Sequence, residues 1–118
     1  MSTPVGPYAP VVRAGDWLIV SGQIGLAGGK LAVGGVAAEA RQALANLAAL
    51  LEGEGASMAD VAKTTIFLRH IDDYRIVNDV YVEAFADHRP ARATVAVAGL
   101  PLGALVEIEA WAWVGGAA

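Results

Sequence analysis

The spacing of apolar positions switches between two periods along this chain, and each switch marks an element. WLIVS, residues 17–21, is an apolar, partly β-branched run that stops at Gly22 and predicts a strand. The proline-rich MSTPVGPYAP before it reads as a lead segment. LAGGKLAVGG after it is turn-rich, with room for a short strand around residues 30–33. From Val36, apolar residues recur at Ala40, Ala43, Leu44, Leu47, Leu50 and Leu51, which is the spacing of a helix. Glu39, Arg41, Gln42 and Glu52 fall on its wet side, and Gly53 and Gly55 are stop signals. VAKTTIFLR, residues 61–69, predicts a strand from its β-branched content. Asp72 or Asp73 is placed to cap a second helix whose apolar face is Val77, Val80, Tyr81, Ala84 and Phe85. HRP at 88–90 ends it, because the residue before proline disfavours helical dihedrals.

Two alternating runs close the chain. Residues 91–97 put Ala93, Val95 and Val97 on one side and Arg92, Thr94 and Ala96 on the other. After the turn AGLPLG, the strand LVEIEAWAWV at 105–114 sorts Ile108, Ala110, Ala112 and Val114 onto a small apolar face. Its other face carries Glu107, Glu109, Trp111 and Trp113, a mixture that suits neither open water nor a core. The element order predicts an α+β fold: one mixed β-sheet with two helices packed on one face. Sister subunits packed on the free face would resolve the mixture.

Composition narrows the class. At 118 residues, 1–118 is expected to be a single domain. The hydrophobic fraction is 56 % and the mean hydropathy +0.50, which favours an oligomer. No apolar run reaches the ~18 residues of a membrane span. The lead lacks the basic region of a signal peptide. With no cysteine, disulfide and thiolate chemistry are excluded and a cytoplasmic location is the expectation. The net charge is −4 and the basic residues are scattered, so the footprint of a nucleic-acid partner is missing.

There is no phosphate-binding glycine loop. His70 and His88 lie near opposite ends of the second helix, without metal-ligand spacing, so no metal is expected. What remains is Tyr8, Ser21, Arg92, Thr94, Glu107 and Glu109, assigned to strand ends and to the sheet face away from the helices. Arg92 suits bidentate carboxylate recognition, or equally an intersubunit ion pair with Glu107 or Glu109. Glu107 is either a general acid/base, its pKa raised by the indoles or lowered by an arginine, or the partner of Arg92. Glu109 reads as structural or solvated. Ser21 either points a hydroxyl into a cleft or serves a turn. Tyr8 anchors the lead, and the tryptophans pack.

These segments together resemble the RidA/YjgF family, also called the endoribonuclease L-PSP or translation-inhibitor family. The resemblance runs through GPYAP (6–10), VSGQI (20–24), AEARQALANL (38–47), VAKTTIFL (61–68), VNDVY (77–81), RPARATVAVAGLP (89–101) and VEIEAWA (106–112). It implies a chorismate-mutase-like fold assembled as a barrel-like homotrimer with a cleft at each subunit interface. It implies hydrolysis of reactive 2-imino and enamine acids of the 2-aminoacrylate type to 2-keto acids and ammonia, with no cofactor. By motif, Arg92 matches the arginine that holds the substrate carboxylate, and Glu107 the residue that activates or orients water. Ser21 and Tyr8 match cleft-lining hydroxyls, and Asn78 a family asparagine. Thr94 departs from the cysteine many members carry, and takes its place in the pocket. A carboxylate-binding or chaperone-like module without turnover is the alternative. Ribonuclease activity, from the older family name, fits the acidic charge poorly.

Overall fold

The computed structural model describes residues 4–116. Five strands form the main sheet: β1 (Val11–Ala14), β2 (Trp17–Gln23), β5 (Val61–Leu68), β6 (Ala91–Ala96) and β7 (Val106–Trp113). They lie in the order β1-β2-β7-β5-β6. The β5–β6 pair is parallel and the others are antiparallel, so the sheet is mixed, as the element order implied. Two helices, α1 (Gly35–Gly53) and α2 (Tyr74–Phe85), pack on one face, α2 being the crossover between the parallel strands. A two-stranded ribbon of β3 (Leu26–Ala27) and β4 (Lys30–Leu31) turns through Gly28 and Gly29, both at positive φ. No helix here is long and apolar enough to cross a membrane.

The core follows the predicted periodicities. Leu18 and Val20 of β2, Ile66 and Leu68 of β5, and Ile108, Ala110 and Ala112 of β7 all face the helices. They meet Leu44, Leu47 and Leu51 of α1 and Val77, Val80 and Phe85 of α2. Small side chains in the middle of β7 leave room for the helix layer to sit close to the sheet.

Several expectations need correction. A strand that the sequence reading does not assign follows the lead: Val11–Ala14 pairs with β2 as an edge strand. Glu39 is not on the wet side of α1. It is buried, and its Oε1 accepts a hydrogen bond of 2.9 Å from Leu105 N–H, a donor just ahead of β7 that would otherwise lack a partner. Asp73 stands before α2 in a helical conformation without a side-chain cap, because a short 3₁₀ turn at Ile71–Asp73 already leads into the helix. The helix stops at Phe85 rather than at the proline, since Ala86 takes a φ of 54°.

The opposite face of the sheet is open and carries a large apolar patch beside Glu107 and Glu109. Trp17 packs edge-on against Trp111 and Trp113, with ring centroids 5.8 and 5.1 Å apart. Val12, Val95, Trp111 and Trp113 on this side remain exposed, each by more than two-fifths of its surface.

Candidate functional site

One cluster grows from the β5–α2–β6 crossover. In a parallel pair, residues in register share a face, and Arg92 is in register with Thr64, Thr94 with Ile66. Thr64 and Ile66 are buried under the helices, so Arg92 and Thr94 project to the helix side. This corrects their assignment to the face of Glu107. Strand alternation gives two faces but does not say which one the helices cover, and β6 is an edge strand that α2 only partly roofs.

Three residues of α2 meet Arg92 there. Tyr74, Asn78 and Tyr81 are spaced i, i+4 and i+7, which lines them along one helical stripe. Arg92 Nη2 donates to Asn78 Oδ1 at 2.6 Å. Its Cζ lies 4.9 Å from the Tyr81 ring centre and 5.4 Å from that of Tyr74, within range of cation–π attraction. Tyr81 is itself held by a 2.7 Å hydrogen bond between its phenol and Thr64 Oγ1. Burial pushes the Tyr81 phenol upward in pKa, opposed by the Thr64 hydrogen bond and by the Arg92 and Arg89 cations. Thr94 Oγ1 is buried and has no hydrogen-bond partner among the described residues. Tyr74 and Tyr81 escape sequence reasoning because helical period alone files Tyr81 with the core. The signal that finds them is YRIVNDVY read as one stripe beside an arginine.

The second cluster lies across the sheet. The β2–β7 pairing shifts register between Val20 and Gln23, and the irregularity carries Ser21 and Gly22. Ser21 Oγ donates to Ala9 O at 2.7 Å, and Ser21 N–H to Pro10 O at 2.9 Å. Together they fasten the segment bearing Tyr8 to β2. Glu107 projects from β7 against Gly22, where a β-carbon would come within 2.0 Å of its Oε1. Glycine is therefore what lets the carboxylate lie on the strand backbone. Tyr8 and Gly22 border one small cleft together with Gln23. Glu107 is half-buried, and its pKa is raised, first by burial and then by the charge of Glu109. Neither arginine nor indole is among the causes, so burial decides between the two directions open from sequence.

Glu107 and Arg92 thus stand on opposite faces of one sheet, and no ion pair joins them in this chain. The structure brings together Asn78 and Arg92, with Thr94 on the same strand face, and separately gathers Tyr8, Ser21 and Glu107 around β2.

Comparison with known proteins shows the family. The family model described as Endoribonuclease L-PSP matches residues 1–114. The human protein named 2-iminobutanoate/2-iminopropanoate deaminase is 44 % identical over 108 residues, covering 90 % of this chain and 79 % of that one. A RutC family protein of Pyrococcus horikoshii is 40 % identical over 112 residues, covering 93 % and 89 %. Among solved structures, RidA from the Antarctic bacterium Psychrobacter sp. superposes with a TM-score of 0.92 at 36 % identity, covering 95 % and 92 %. The YjgF gene product of E. coli does so at 0.88 and 40 %, covering 93 % and 90 %. The chain belongs to the endoribonuclease L-PSP family, the group also known as RidA/YjgF.

Proposed function

We propose that this protein hydrolyses 2-imino acids and their enamine tautomers to 2-keto acids and ammonia, in clefts completed between the subunits of a homotrimer with a chorismate-mutase-like barrel. The observation that carries the reading is Arg92. Its guanidinium is fixed by Asn78 and two aromatic rings, yet faces no carboxylate among the described residues, so it is ready for one from a ligand. The names of the deaminase relatives fit a ligand of that kind. Two clusters on opposite sheet faces cannot grip one small molecule within a chain. A second copy presenting Glu107, Ser21 and Tyr8 to the first copy's Arg92, Asn78 and Thr94 can, and the exposed apolar sheet face favours such assembly.

The chemistry asks little beyond placement. Protonated imine carbon is already electrophilic. Arg92 holds the neighbouring carboxylate, and Glu107 takes a proton from water as its oxygen bonds to that carbon. The resulting carbinolamine loses ammonia when Glu107 returns the proton to nitrogen; as the C–N bond breaks, the hydroxyl proton passes to the re-ionised Glu107 and from there to water, leaving the keto group. Ser21, with its proton engaged by Ala9 O, offers lone pairs to a water or imine N–H. Thr94, two residues beyond Arg92 on the same strand face, keeps its unpaired hydroxyl enclosed within the single chain and is assigned to the pocket by the family resemblance.

The test supplies imines from an amino-acid oxidase and follows loss of the semicarbazone signal with purified protein. Arg92→Ala is expected to lower kcat/KM by about 100-fold or more, the loss of a bidentate charge-assisted contact and of orientation. Equal rates for wild type and variant overturn the role of Arg92. Saturable carboxylate binding without ammonia release from any imine would favour the non-catalytic module.

A further inference from the structure

The pocket beside Arg92 contains a second cation that the proposed reaction leaves unused. Arg89 and Arg92 border one open pocket of about 460 Å³ together with Asn78, Tyr74 and Tyr81, and no aspartate or glutamate lines it. Neither arginine has a carboxylate within ion-pair distance among the described residues; the pair formed there is Arg41–Glu83. Arg89 Nη1 donates to Ala86 O, and to His88 O at 2.9 Å, carbonyls left free where α2 ends. Those bonds hold the side chain in place and leave Nε and Nη2 without a hydrogen-bond partner among the described residues. Pro90, between the two arginines, has a fixed φ, which stiffens their relative placement. Both cations act on the buried Tyr81 phenol, which places them in the same electrostatic neighbourhood.

A monoanion bound to Arg92 leaves one of these charges uncompensated, whereas a dianion satisfies both. We propose that the pocket selects 2-imino dicarboxylic acids of four or five carbons, Arg92 taking the carboxylate beside the imine carbon and Arg89 the distal one. This rests on the reading that Arg92 binds the substrate carboxylate.

The experiment compares wild type, Arg89→Met and Arg89→Lys on imines generated from aspartate or glutamate and from alanine or leucine. Wild type is expected to prefer the dicarboxylates. The ratio of kcat/KM for dicarboxylate over monocarboxylate should fall about tenfold or more in Arg89→Met and recover in Arg89→Lys. A side chain that only closes the end of α2 would change thermal stability and leave that ratio alone. An unchanged ratio, or a wild type active on monocarboxylates only, overturns the proposal. Should no imine be hydrolysed, the deaminase reading falls and calorimetry with succinate and butyrate decides the selectivity. Tighter succinate binding that Arg89→Met abolishes upholds the second cation, and equal binding of the two acids overturns it.

Discussion

Gly22 leaves the space that Glu107 fills: a β-carbon there would stand 2.0 Å from Oε1 and 2.7 Å from the carboxyl carbon. The clash falls on the far end of a flexible side chain, so the backbone need not move. Gly22→Ala is therefore expected to retain its melting temperature within a few degrees while displacing the carboxylate. On the proposed role of Glu107, its misplacement by about 1 Å costs on the order of 100-fold. Kinetics and a melting curve on the same sample check this; full activity in the alanine variant would detach Glu107 from the chemistry.

Glu107 also makes stability depend on pH. Its raised pKa means that the folded chain keeps this proton to higher pH than the unfolded chain does. The associated stability is fully present below the unfolded value, roughly pH 4.3, and is lost as pH rises through the folded value. At neutral pH the ionised group therefore opposes folding. Glu107→Gln should melt higher than wild type at pH 7, with the gap closing toward pH 4, and should lose about 100-fold or more in kcat. A gap that widens on acidification would reverse the sign of the argument.

The Thr64–Tyr81 hydrogen bond joins a side chain of β5 to one of α2, both buried between sheet and helix. Tyr81→Phe leaves the Thr64 hydroxyl without its partner, and Thr64→Val leaves the phenol without its own. Each is expected to cost about 1–3 kcal/mol. The double variant should cost less than the sum, since both penalties come from one broken bond. Urea unfolding at a fixed protein concentration measures the cycle; strict additivity would mean the bond carries no energy.

Gly25 presents the opposite case from Gly22. A β-carbon there would approach Glu39 O at 2.6 Å and Glu39 Cα at 2.7 Å, both backbone atoms of α1. Nothing flexible is available to yield, so α1 must shift and weaken the bond from Leu105 N–H to Glu39. Gly25→Ala should lose about 1–3 kcal/mol, read as a lower urea midpoint.

Periodicity located both helices and four of the main-sheet strands, because burial on one side imprints itself on spacing. It missed β1, where VVRA has no alternation long enough to register. It misplaced Glu39 because a helical wheel treats every charged position as solvated, while this one meets an isolated backbone donor 66 residues away. Arg92 and Glu107 were recognisable as chemistry-bearing residues, but their separation onto two faces follows from the parallel pairing of β6 with β5. That pairing is a long-range relation no local pattern encodes. Tyr74, Tyr81, Gly22 and Arg89 acquire meaning only through what stands next to them.

The crossover from β5 through α2 to β6 holds Thr64, Tyr74, Asn78, Tyr81, Arg89, Arg92 and Thr94 in one continuous stretch of chain. Glu107 belongs instead to β7, paired on both sides in the middle of the sheet. On the proposed reaction, a lineage can therefore revise the residues assigned to the ligand by altering one local segment, without disturbing the strand that carries Glu107. The proposed ligand grip and the proposed proton transfer would then be separately heritable in this fold.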